Sequence, residues 1–122
     1  NCYTNSLTKL FMKTIYKYVL DTVPNVVGAP QIPYQIELPQ GAKVLSCGIQ
    51  GGQSVCVWAL VDPDVEEKVK TNFYVIGTGW PLSAELTEGW VFLNTIMVED
   101  GVFVYHVFVE VDPSNYSLPI SM

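Results

Sequence analysis

The dipeptide Asp100-Gly101 stands between two runs rich in β-branched and aromatic residues, 90–98 and 102–111, and it narrows the fold more than any other feature of the chain. A two-residue turn of the mirror-image type needs positive φ at both central positions, which aspartate tolerates and glycine adopts freely. The flanking runs therefore read as one hairpin, with Val98 facing Phe103, Ile96 facing Tyr105, Thr95 facing His106 and Leu93 facing Phe108. Aromatic and β-branched pairs of this kind stabilise a sheet by roughly 0.2–1 kcal/mol each. Gly51-Gly52 marks a second hairpin, joining 43–50 to 53–61. A two-residue turn there puts Leu45 opposite Trp58, Cys47 opposite Cys56 and Ile49 opposite Ser54, with Val44, Val55, Val57 and Ala59 on the other face. Both faces are then largely apolar, which suits the middle of a sandwich, a place under a helix, or a subunit interface.

The rest of the chain has the same period. Thr14, Tyr16, Tyr18 and Leu20 alternate with Lys13, Ile15, Lys17 and Val19, a strand with one partly wet face. Pro24, Gly28, Pro30 and Pro33 punctuate a loop, after which Tyr34, Ile36 and Leu38 alternate with Gln35 and Glu37. Asp62-Pro63-Asp64 stops the strand ending at Val61, and the polar stretch 65–70 is expected to form one helical turn. Phe73-Tyr74-Val75-Ile76 reads as a short strand, and Asp112-Pro113 opens a terminal turn and tail. Seven strands, short turns and no long amphipathic helix predict a mostly-β fold, a small antiparallel β-sandwich or open barrel. The expected organisation is a single β domain over residues 12–122. Residues 1–11 precede it as an appendage, or as a short amphipathic helix with Leu7, Leu10 and Phe11 on one face.

Composition sets limits on function. Hydrophobic residues make up 49% of the 122 and charged ones 15%, far from the profile of a disordered chain. No apolar run reaches the roughly 20 residues that span a bilayer as a helix, so the chain reads as soluble. Its cations are six lysines with no arginine, against twelve acidic residues, for a net charge of −6. DNA and RNA are poor partners for such a surface, which lacks the guanidinium forks that read phosphates and bases. Backbone amides could still hold one small anion. Cys2, Cys47 and Cys56 have no metal-ligand spacing and read as free thiols of a reducing compartment, or, for Cys47 and Cys56, as a strained cross-strand disulfide.

The inventory of reactive groups is short. His106 is the only histidine, which removes two-histidine metal sites; in a strand opposite a threonine it is either a hydrogen-bonded structural residue or a pH-sensing or ligand contact. No sequence feature brings a base to either strand cysteine. Asp62, Asp64, Glu66 and Glu67 lack the spacing of a calcium loop and read as a solvated acidic loop. Gly77-Thr78-Gly79-Trp80-Pro81 is the one segment with binding character, since two glycines let backbone amides approach a ligand and tryptophan offers a stacking face. A plain strand-to-loop transition is the competing reading. The candidate ligand-binding set is Gly77, Thr78, Gly79, Trp80, Pro81 and His106, with no catalytic residue, no metal site and no cofactor expected.

Five blocks in order carry a resemblance. Met12-Lys13-Thr14-Ile15-Tyr16-Lys17-Tyr18, Leu38-Pro39-Gln40-Gly41-Ala42-Lys43-Val44-Leu45-Ser46, Trp58-Ala59-Leu60-Val61-Asp62-Pro63, Gly77-Thr78-Gly79 with Pro81, and His106-Val107-Phe108 together resemble a family of small uncharacterised proteins of tailed phages and prophages. The chain departs from that pattern in a longer loop at 23–32, in Trp80 where a small polar residue or histidine often stands, and in residues 1–11. The resemblance implies no activity. By association with other small phage proteins that lack catalytic residues, the expected role is that of a non-enzymatic accessory binding protein in the host cytoplasm. It would act as a counter-defence inhibitor, sequestering a nucleotide immune signal or capping a host immune protein, and as a homo-oligomer. The alternative is a structural or assembly component of the virion.

Overall fold

The computed structural model describes residues 12–22 and 33–111. The expected extension at 1–11, most of the proline-rich loop, and the turn and tail from Asp112 lie outside the described residues. Seven strands follow one another along the chain: β1 (Thr14–Thr22), β2 (Tyr34–Pro39), β3 (Lys43–Gln50), β4 (Ser54–Val61), β5 (Lys68–Gly77), β6 (Trp90–Val98) and β7 (Phe103–Glu110). They form two antiparallel sheets, one ordered β1-β4-β3 and the other β2-β5-β7-β6. The architecture is a small β-sandwich, the first of the two expected forms, and not a closed barrel. No helix among the described residues is long and apolar enough to cross a membrane.

The core lies between the sheets. Alternation puts Val55, Val57, Ala59 and Val61 of β4 on one inner face, and Phe73, Val75, Val107 and Val109 of β5 and β7 on the other, all of them buried. Burying each such valine or phenylalanine side chain contributes about 1.5–3 kcal/mol, so the central strands supply most of the apolar stabilisation. Across one open side of the sandwich, the Asn94 amide on β6 donates to the Cys47 carbonyl on β3 at 2.9 Å, tying the two sheets at their edges.

Several local expectations are corrected. Residues 51–53 form a three-residue connection with positive φ at Gly51 (66°) and Gly52 (86°), so the hairpin register shifts by one and Cys47 pairs with Val57 while Cys56 pairs with Gly48. Leu45 falls in a bulge and Trp58 faces Ser46 instead. Because the bulge inverts the alternation, Cys47 points into the core with Val57 and Cys56 points to the opposite face. Both are buried free thiols, and the cross-strand disulfide is ruled out by geometry. The stretch 65–70 holds no helical turn. β5 already begins at Lys68, where pairing of Lys70 with Glu37 and Val69 with Leu38 recruits these polar residues as a ladder beside β2.

At Asp100-Gly101 the expected positive φ angles are present, 57° and 86°, with the Val102 amide bonded to the Glu99 carbonyl at 3.1 Å, but the left-handed backbone begins one residue earlier, at Glu99 (54°), where the Gly101 amide also bonds to the Val98 carbonyl at 3.1 Å. Val98–Phe103, Ile96–Tyr105 and Thr95–His106 pair as expected, but a bulge at Leu93 makes Phe92 the partner of Phe108. Asp100→Val is expected to cost about 1–2 kcal/mol, since a β-branched residue is forced into left-handed backbone, whereas Asp64→Ala in the exposed loop should change stability by less than about 0.5 kcal/mol. Urea melts of the two variants give the comparison, and equal losses would contradict the turn geometry.

Burial pushes the Cys47 thiol from 9.0 up to about 12. The fold thus favours the protonated form, and that contribution to stability is fully present below pH 9 and lost as pH climbs from 9 towards 12. In a Cys2→Ser background, Cys47 and Cys56 should resist a thiol reagent at pH 8 until urea unfolds the chain, and the melting temperature should fall through the alkaline window less steeply for Cys47→Ala. Rapid labelling of the native protein would show that the thiols are accessible.

Candidate groove at the head of the sandwich

The segment singled out from the sequence closes β5. The Trp80 amide donates to the Gly77 carbonyl at 3.1 Å, making a four-residue turn whose third position is Gly79 at φ 89°. A type II turn requires positive φ there, so Gly79 serves the backbone and not a ligand. The turn folds Trp80 back over Gly77 so closely that a Cβ on Gly77 would lie 2.5 Å from the indole ring. Trp80 meets Tyr105 edge to face, with ring centroids 6.2 Å apart and planes at 77°, and it packs partly against the core. Pro81 is exposed beyond the turn.

A groove of about 400 Å³ opens beside this turn, with Gly77, Thr78 and Trp80 on one wall and Val102, Phe103 and Tyr105 on the other. The two walls meet because Gly77 pairs with Tyr105 and the Thr78 amide donates to the Val104 carbonyl at 3.2 Å. No charged side chain among the described residues lines it. Its polar-bearing residues are Thr78, Trp80 and Tyr105, and its rim is apolar and wet, with Val102 69% and Phe103 47% exposed. Such a surface can stack on or enclose an apolar or planar group.

His106 does not line the groove. It sits on the outward face of the four-stranded sheet between Ile76 and Thr95, with Thr95 Oγ1 at 2.9 Å from Nδ1 and Thr78 Oγ1 at 2.6 Å from Nε2. The Thr78 hydroxyl also lies 3.5 Å from the Val104 carbonyl. If it donates there, it accepts from Nε2–H, while the Thr95 hydroxyl donates to Nδ1, and a neutral ring is satisfied at both nitrogens. His106 therefore reaches the groove only through Thr78. Of the six expected residues, Gly77, Thr78 and Trp80 line the groove, Gly79 shapes the turn, and Pro81 and His106 stand outside the lining. Val102, Phe103 and Tyr105 were missed. The shared face of Phe103 and Tyr105 was readable from alternation, but their position opposite Gly77 depends on the β5–β7 pairing.

Below His106 the same outward face carries an aromatic cluster. Tyr74 stacks on Trp90 at 4.2 Å, Trp90 lies 5.2 Å from Phe108, and Phe92 meets Phe108 at 5.6 Å. Glu110 accepts from the Tyr74 hydroxyl at 3.2 Å and the Asn72 amide at 3.1 Å. Burial, with the Glu110 carboxylate adding to it, raises the Tyr74 phenol above its usual range. The Trp90 indole N–H is buried without a partner.

Fold and groove together define a small two-sheet β-sandwich with an aromatic-walled groove at one end. The chain belongs to the DUF7352 family, a domain of unknown function, whose profile matches residues 12–117. No curated protein and no solved structure matches it.

Gly77→Ala should expel Trp80 from its seat, because the added methyl cannot coexist with the ring at 2.5 Å. The expected outcome is a melting temperature several degrees lower, from a cost of about 1–3 kcal/mol, together with a red-shifted tryptophan emission. Unchanged emission would mean that Trp80 does not rest on Gly77.

Proposed function

We propose that this chain is a non-catalytic binding protein whose groove holds a side chain of a protein partner. The aromatic walls without a lining cation carry this reading. A nucleotide would bring phosphates to a site that offers them no lysine, so capping of a host protein fits the groove better than sequestration of a nucleotide signal. The five ordered sequence blocks support a phage-encoded protein, and its place in the host cytoplasm as a counter-defence inhibitor follows by association with other small phage proteins that lack catalytic residues. A non-enzymatic role is supported by Cys47, whose thiol is held protonated, and by His106, whose ring nitrogens are both engaged by threonines. The outward face of the three-stranded sheet, where Ile15 is 53% and Val19 49% exposed, supports a homo-oligomer.

A second reading, a virion assembly component, is favoured by a different observation. Phe92 and Met97 stand 54% and 62% exposed on the outward face of the four-stranded sheet, an apolar surface suited to contact with another protein. The two readings separate by mutation. Wild type, Phe103→Ser and Phe92→Ser are incubated with host lysate plus cyclic and linear nucleotides, and whatever co-purifies is identified by mass spectrometry. Loss of the captured partner with Phe103→Ser alone, at an unchanged melting temperature, is the expected result. Loss with Phe92→Ser alone would move function to the outward face of the four-stranded sheet, and capture of a nucleotide would restore the sequestration reading.

A further inference from the structure

We infer that the groove receives a cationic side chain, arginine or lysine, from a basic segment of its protein partner. The inference rests on the binding reading above and names the chemistry of the occupant. Trp80, Phe103 and Tyr105 line one groove; Tyr105 is buried against the edge of Trp80, and the partly exposed rings of Trp80 and Phe103 are the ones that attract a cation. Among the described residues, the groove's lining contains no charge to repel it. Beyond Val102 the wall continues into the turn that carries Glu99 and Asp100, both exposed, and the Val102 amide is bonded to the Glu99 carbonyl at 3.1 Å, which fixes the two carboxylate-bearing residues beside the rim. Lys68 and Lys70 stand at the other end of β5 from Gly77, so the lysines of that strand are remote from the groove. A chain of net charge −6 adds long-range attraction for a basic segment.

The test titrates the full chain with blocked pentapeptides of glycine bearing a central arginine, citrulline or leucine, and with AMP, followed by amide chemical shifts in NMR. The arginine peptide should move the resonances of Thr78, Trp80 and Phe103, with affinity falling as sodium chloride is added. Citrulline has nearly the same shape without the charge and should bind about two- to fivefold more weakly. The double variant Glu99→Gln with Asp100→Asn, in which asparagine keeps the turn's positive φ, should weaken the arginine peptide by a similar factor at an unchanged melting temperature. Equal binding of the arginine, citrulline and leucine peptides would overturn the cationic occupant while leaving the groove as a binding site. Shifts at the groove from AMP but not from arginine would overturn it in favour of a nucleotide, and silence from all four probes would overturn both the occupant and the groove.

Discussion

Val55, Val57, Ala59 and Val61 on β4 face Phe73 and Val75 on β5 and Val107 and Val109 on β7 with almost no solvent access, and the other features of the molecule are arranged around this contact. A β-sheet buries one face only if a second layer covers it, and here each sheet covers the other. The contact also explains the strand order. β4 and β7 each occupy the inside of their sheet with a partner on either side, so the most apolar strands have both hydrogen-bonding edges satisfied and their inner face dry. The groove is the place where this layer runs out: Tyr105 is still buried, Phe103 two residues earlier is half exposed, and Trp80 folds over Gly77 to close the gap only in part.

The edges of the two sheets are treated differently from their centres. β1, β3 and β6 are edge strands, and each carries one bulge, at Leu20, Leu45 and Leu93 respectively. The fourth edge strand, β2, ends at Pro39, which cannot donate to a ladder. Interruptions of this kind make an edge a poor template for pairing with another chain. They also change which side chains face inward. The bulge at Leu45 turns Cys47 into the core, and the bulge at Leu93 lies next to Asn94, which bonds across to the other sheet.

Thr78 links two surfaces that are otherwise separate. Its amide and hydroxyl hold the end of β5 to Val104, its hydroxyl meets His106 on the outward face, and its backbone begins the turn that seats Trp80. The imidazole, tied also to Thr95 on β6, thus spans β5, β7 and β6 and braces the turn from behind. A histidine with this geometry is a positioning residue for the groove wall. By sequence His106 counted among the candidate ligand contacts, whereas strand pairing sets it behind the wall, out of the lining.

Local chemistry was enough to determine the seven strands, the positive φ angles at Asp100-Gly101 and the register next to them, because alternation and turn propensities act over a few residues; which apolar face of β4 turns inward was set by the second sheet. Local chemistry was also enough to single out the segment from Gly77 to Pro81, where glycine at the third position of the turn is a local requirement. The tertiary structure alone decided the three bulges, the extension of β5 into a polar stretch through pairing with β2, and the separation of Cys47 from Cys56 onto opposite faces. It likewise decided that Phe103 and Tyr105 complete the groove while His106 stands behind it. Each of these depends on which strand lies beside which, and that is set by burying the two inner faces against each other, a contact between residues far apart in the chain that no short window of sequence contains.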